Sequence, residues 1–559
     1  MPKIDFTRYY DQGELEAALH AFVEESPQLA RLESIGSSHE GRSIWCMTIT
    51  APGRPHYEKP AYWLDANIHA TEVTGCMGAL HLIETLLGGF DSDASIAGLL
   101  ERCTFYIVPR VNPDGAEQYF SSPLYVRSGT RPYPFTDERD GLYAHDIDGD
   151  GRVLSMRVPD THGAWKVSER DERLMRKRDP DEFGGTYYRL YTEGLIRNFN
   201  GYEVQVGHPR QGLDFNRNFA YIWAPEGNQR GAGPYPFSEP EVRAIAEFYA
   251  THPNISCGIS YHTYSGVILR PFSDKNDDAI PLGDLYTFKA ITRRGTEITG
   301  YPAGSVYDIF RYEPREVMRG AFDDWAYDQH GVYAFTVELW DMVGEAGIKE
   351  RHFIEWMRDH PEEDDLKLLA WNDAELGGDG FVRWYPFEHP QLGPVEIGGW
   401  KERETFGNPP AKFLLPTLEP NTTFAIAHAR MLPRLEIQEL RADALGGDVH
   451  RVRLALVNSG FLPTYGSEMA VQRKASRPIE VTLTLPDGAT LVSGLARQEI
   501  GQLEGRANKR GLFSSNFATD NVELIEWVVQ AAAGAEVAIA AVSQRGGTVR
   551  GTVMLGVGN

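Results

Sequence analysis

A chain of 559 residues is too long for one ordinary domain, and a composition of 42% hydrophobic and 24% charged residues describes a globular protein able to bury a large core. The formal charge of −24 disfavours nucleic acid, which binds basic patches, and offers no basic face to a membrane, whereas cationic peptides are drawn to such a surface. No stretch approaches 18 uninterrupted apolar residues, and the start Met1-Pro-Lys-Ile-Asp-Phe lacks the basic segment and apolar core of a secretory signal, so a cytoplasmic protein without a membrane partner is expected.

Helical periodicity runs through Glu14–Val23, a turn at Glu40-Gly-Arg42 follows, and Ile44–Ile49 reads as a strand. The apolar run from Ala61 ends at His69-Ala-Thr-Glu72. A helix then leads from Gly75 to the stop at Gly88-Gly89, and Thr104–Val108 is the next strand. Ile255–His262 and Tyr333–Trp340 are further apolar runs with polar residues near their exits. Strands alternating with amphipathic helices predict an α/β unit over residues 1–425, with a mixed, largely parallel sheet flanked by helices. Residues 346–420 are charged or rich in Pro and Gly, ending near Asn408-Pro-Pro410, and Thr422–Ala429 reads as helical. From about 433 the character changes to short alternating strands around 450–460, 479–488, 536–542 and 547–555, which predicts an all-β sandwich over 433–559. Cys46, Cys76, Cys103 and Cys257 are widely spaced within apolar patterns and read as reduced core thiols.

An imidazole and a carboxylate three residues apart, as in His69 and Glu72, can grip one zinc ion, but catalytic zinc takes three protein ligands and keeps a fourth position for water. His262 is the candidate third ligand, and Glu338 stands at the end of another strand. Open α/β sheets bind ligands beyond the carboxyl ends of their strands, so these four residues can converge.

The landmarks Glu40-Gly-Arg42, His69-x-x-Glu72, Asn112-Pro-Asp-Gly115, Asp214-Phe-Asn-Arg-Asn-Phe219, Ser238-Glu-Pro-Glu241, His262-Thr-Tyr264, Asp323-Asp-Trp325 and Phe335-Thr-Val-Glu338 occur in that order. Over roughly residues 35–345 the chain resembles the zinc metallocarboxypeptidases of the M14 family, the carboxypeptidase A/B type. The resemblance implies one zinc per chain on His69, Glu72 and His262, with Glu338 as general base. It implies an arginine that stabilises the oxyanion, for which Arg127 is favoured and Arg131 stays open because the spacing is altered. Asn216 and Arg217 match the clamp on a substrate's terminal carboxylate, and Tyr264 matches a cleft residue. The family's mobile tyrosine has no clean counterpart: counting back from Asp324-Trp325 lands on Glu316, with Tyr307 and Tyr312 nearby, of which Tyr312 is chosen. Asp323 matches the position that in this family sits at the floor of the pocket for the last side chain, which implies a preference for Lys, Arg or amine-bearing diaminopimelate; the competing reading pairs Asp323 with a neighbouring arginine.

Residues 121–213 form an insertion relative to the family pattern, and one that narrows the mouth of the cleft would favour small substrates. Within it Asp146, Asp148, Asp150 and Gly151 match positions 1, 3, 5 and 6 of a calcium loop, but position 12 is Arg157 in place of the bidentate Glu, so bound calcium and a solvated acidic turn both stand as readings. The function expected is hydrolysis of the C-terminal bond of peptides. Its rivals are a murein-peptide peptidase, an amino-acid deacylase on the same fold, and a non-catalytic peptide-binding protein. Serine-hydrolase chemistry lacks its G-x-S-x-G elbow.

Overall fold

The computed structural model describes residues 2–507 and 518–556; the rest of the predicted 433–559 domain, and Met1, lie outside the described residues. Eight strands form the main sheet: β1 (Ala30–Ser37), β2 (Ser43–Ile49), β3 (Ala61–Ala66), β4 (Thr104–Val108), β5 (Ile255–Thr263), β6 (Val267–Arg270), β7 (Ala303–Ser305) and β8 (Tyr333–Leu339). Their order is β1-β2-β4-β3-β5-β8-β6-β7. The four central strands β4, β3, β5 and β8 run parallel, with antiparallel pairings at β1–β2, β2–β4 and β8–β6. Every residue of those four strands is buried, as a parallel sheet covered on both faces requires, and this is why they read as unbroken apolar runs.

Side chains alternate across the sheet. Tyr62 of β3 packs on His428 of the helix Ala411–Ala429, while its neighbour Trp63 packs on Tyr249 of the helix Pro240–Thr251. The helix Thr74–Gly89 lies unusually close to the sheet because it presents Gly75, where a β-carbon would stand 3.0 Å from the Tyr261 carbonyl and 3.1 Å from Ala66. The helix Ala411–Ala429 contains Pro416 and Pro420 and continues past 425, so the boundary expected there falls inside an element that belongs to the catalytic unit.

The insertion does not stand alone. Its strands Ser155–Pro159, Trp165–Val167, Met175–Lys177 and Tyr188–Thr192 join Phe381–His389 and Gly393–Trp400 in one antiparallel six-stranded sheet. Arg157, offered above as the twelfth calcium-loop position, is opposite Glu396 in the register and ion-pairs with it at 2.8 Å.

Beyond Pro433 two four-stranded sheets share one core, with Val452, Leu454 and Trp527 from the first meeting Val481, Ile539 and Ala541 from the second. This β-domain docks on the helix Phe322–His330 and the turn after it. Buried Arg545 donates to the carbonyls of His330 and Gly331, Ser467 Oγ donates to Gly331 O at 2.8 Å, and Arg473 pairs with Asp328 at 2.7 Å. Asp284 completes the joint by accepting from the amides of Glu468 and Met469 and from the hydroxyls of Tyr327 and Tyr333. All four cysteines are buried and free. No helix of the described residues is long and apolar enough to cross a membrane.

Candidate metal centre and substrate cleft

The cluster sits beyond the carboxyl ends of β3, β5 and β8. Asn67, in a left-handed conformation at φ 57°, turns the chain out of β3, and its side chain donates to the carbonyl of His69 at 2.7 Å. Asparagine tolerates that backbone region better than most residues. The β5–β8 register places His262 directly beside Glu338.

His69 Nδ1 lies 2.8 Å from Glu72 Oε1 and 3.1 Å from His262 Nδ1, which is itself 3.1 Å from Glu72 Oε2. These donors nearly have the mutual spacing of a tetrahedral zinc shell, whose ligands at about 2.0–2.2 Å from the ion stand roughly 3.3–3.6 Å apart. Asp214 Oδ1 accepts from His69 Nε2 at 3.2 Å, which leaves the lone pair on Nδ1 facing the cluster. All three residues are buried. Burial raises the Glu72 carboxyl, but His69 and His262 outweigh it and hold the group below the usual carboxylate range. Burial is also outweighed at Asp214, by Arg127, Arg217 and His69. The donor set and its tautomer therefore fit zinc.

Glu338 is buried, its Oε2 has no hydrogen-bond partner among the described residues, and burial and the charge of Glu72 push its pKa well up. Arg127 donates from Nε to Asp214 at 3.1 Å and from an Nη to Glu72 at 3.3 Å, so it borders the cluster. Arg131 does not. It turns away to pair with Glu239, at the start of the helix Pro240–Thr251, at 2.6 Å, which removes it as the oxyanion candidate.

Arg217 donates to Asn216 O at 2.7 Å and approaches Met318 Sδ at 3.0 Å, while Asn216 Oδ1 accepts from the Phe322 amide. Tyr312 is 44% exposed overall, yet the charges of Arg127, Arg217 and Glu338 all act on its hydroxyl. Tyr264 stands near Phe406, and burial and the charges of Glu402 and Glu338 raise its hydroxyl to about 12. Asp323 is buried with Oδ2 unpartnered, and no arginine pairs with it among the described residues; burial raises its pKa, and burial together with the charge of Asp323 raises that of Asp324.

The calcium reading finds no support in the loop, although Asp146, Asp148 and Glu193 bring their oxygens within 4.8 Å of one another. Asp146 Oδ1 accepts from the amides of Gly149 and Asp150 and its Oδ2 from Gly151, while Asp150 caps Arg152. The carboxylate that gathers with Asp146 and Asp148 is Glu193, not Asp150, and it too accepts from amides, those of Ile147 and Leu154. The loop is a turn closed by its own backbone.

Sequence reasoning missed Asp214 as the partner of His69. It lay inside a quoted motif, two residues before Asn216, but the contact spans 145 positions and only folding reveals it.

The profile of the zinc carboxypeptidase family (Peptidase_M14) matches residues 15–354, and that of a domain of unknown function (DUF8731) matches 434–554. The chain is 26% identical to carboxypeptidase B of Astacus astacus over 349 residues, covering 60% of this chain and 88% of that protein. It is 26% identical to carboxypeptidase A6 of Homo sapiens, covering 60% of each. Among solved structures it is similar to thrombin activatable fibrinolysis inhibitor, at 19% identity and a TM-score of 0.44, covering 76% of this chain and 74% of that one. With the family profile spanning more than half of the sequence, the chain belongs to the zinc carboxypeptidase family.

Proposed function

We propose that this zinc carboxypeptidase removes basic or amine-bearing residues, such as Lys, Arg or diaminopimelate, from the carboxyl end of peptides. The observation that carries the preference is the adjacent pair Asp323 and Asp324, buried side by side with one Asp323 oxygen unpartnered. Two neighbouring carboxylates resist ionising together in a desolvated pocket, and an ammonium or guanidinium relieves both the burial and the repulsion. An apolar side chain relieves neither.

The roles rest on the family resemblance together with what each side chain touches. His69, Glu72 and His262 would hold the zinc, which supplies a Lewis acid and an acidified water. Glu338, beside His262, takes the proton from the attacking water and passes it to the leaving amine. Arg127 faces the negative charge that develops on the carbonyl oxygen, Arg217 with Asn216 receives the terminal carboxylate through a planar fork, and Tyr312 covers the cleft opposite Tyr264. Asp214 fixes both His69 and Arg127. A non-catalytic binding protein has no use for a buried Glu338 carboxylate with one oxygen unpartnered, which favours the enzyme. We read the carboxyl-terminal sheets as a β-sandwich that steadies the helix Phe322–His330, the element that begins with Asp323.

The test is kcat/KM of the zinc-loaded protein on peptides that differ only in the last residue. Arg and Lys are expected to exceed Phe and Leu by at least about tenfold, the scale of one charge-assisted contact; equal or higher values for Phe overturn the preference.

A further inference from the structure

Between the ligand cluster and the insertion sheet lies a cavity of about 700 Å³, within the roughly 300–1,000 Å³ of pockets that enclose small ligands. Glu72, Arg127 and Tyr264 form its inner wall, and the insertion with its partner strands forms the outer one. Asn216, Arg217 and Asp323 are not among the described residues that line it. A peptide with its last residue at Arg217 and Asp323 and its scissile carbonyl at Arg127 therefore runs its remaining residues into this cavity.

The charged groups of the lining are nearly all consumed. Arg173 pairs with Asp171 and Asp373, Arg351 with Asp341, and His360 with Asp365, while Arg403 donates to the main-chain carbonyl of Ser122. Arg127 and Glu72 hold one another. Glu402, at the start of the short helix Glu402–Thr405, is different: exposed overall, it lines both this cavity and the neighbouring one that Glu404 lines, with no hydrogen bond or ion pair from its carboxylate among the described residues. Partial desolvation raises its pKa, and its charge acts on Tyr264, on the same wall as Arg127.

We propose that this cavity is the subsite for the amino end of a short peptide, and that Glu402 receives the free ammonium there. The inference rests on the carboxypeptidase reading and narrows it: a guanidinium at one end of the cleft and a carboxylate at the other recognise both termini, and the insertion sheet closes the way to longer chains. A carboxylate with no partner of its own gains from a cation that donates directly to it.

The test uses the zinc-loaded full chain and three substrates sharing the same arginine-ended tripeptide: with a free amino end, with that end acetylated, and with three residues added before it. In the wild type, acetylation and extension are each expected to lower kcat/KM by about tenfold or more, chiefly through KM, as loss of one charge-assisted contact does. In Glu402→Gln the penalty for acetylation should shrink below about twofold. Glu404→Gln removes the same charge two residues away, outside this cavity, and should keep the full penalty. Equal rates on free and acetylated peptide in the wild type, a penalty that persists in Glu402→Gln, or the same loss in Glu404→Gln overturns the inference. Calorimetric binding of the same peptides separates it from the carboxypeptidase reading. A protein that binds the free tripeptide preferentially through Glu402 yet releases no residue upholds the subsite and sinks the peptidase, whereas equal binding of free and acetylated peptide sinks the subsite.

Discussion

Two acidic clusters in this molecule look alike in composition and differ in what the backbone does with them. In the insertion, the carboxylates of Asp146 and Glu193 accept from five main-chain amides between them, and Asp148 accepts from Asp150 N and the Tyr385 hydroxyl. At the ends of β3 and β5, Glu72 takes one amide, from Thr263, and one guanidinium, from Arg127, while the Nδ1 atoms of His69 and His262 face Glu72 and one another. A carboxylate satisfied by amides closes a turn; one whose neighbours are other lone-pair donors is poised for a cation. Glu338 and Asp323, each buried with one carboxylate oxygen unpartnered among the described residues, extend the second kind.

The contrast is broken most severely by His262→Ala. The folded protein should lose its zinc, measured by metal analysis of dialysed samples, and its activity with it, because two ligands do not make a stable site; full occupancy in that variant would remove His262 from the centre. Glu338→Gln should keep the metal and bind substrate while kcat falls by about 10²–10⁴-fold, the range of general-base loss. Near-normal turnover would make Glu338 a structural carboxylate. Asp214→Asn should weaken zinc affinity by roughly 10–100-fold, as loss of a histidine's outer partner does, seen as faster loss of metal to a chelator. On the other side of the comparison, Asp146→Ala should cost only about 1–2 kcal/mol through lost amide contacts, read by denaturant unfolding, with kcat/KM essentially unchanged. Added calcium should leave the melting temperature of the wild type where it was, since a cation bound to the folded state would raise it.

What could be read from sequence follows the same physics. β3, β4, β5 and β8 are legible because strands buried on both faces are uninterrupted apolar runs, and the candidate metal cluster is legible because its residues stand at or just beyond the ends of those runs. The insertion sheet is not: its strands are as short as three residues, partly exposed, and complete their hydrogen bonding with 393–400, more than 200 positions away. The sequence favours Arg127 but keeps Arg131 open, and the partner that turns Arg131 aside, Glu239, is 108 positions from it. The same holds for Asp214, whose role is a contact and not a motif.

The claim that unpartnered buried carboxylates mark this cleft as built for cations is tested most directly at Asp323. Its pKa lies above the ordinary carboxylate range through burial, so it ionises, and attracts a basic side chain, only as pH rises through that raised value. Measured side by side across pH, the ratio of kcat/KM for Arg-ended over Phe-ended peptides should rise with pH in the wild type and stay flat, reduced by about tenfold or more, in Asp323→Ile. A ratio that survives the substitution unchanged, or that falls as pH rises, would contradict the account.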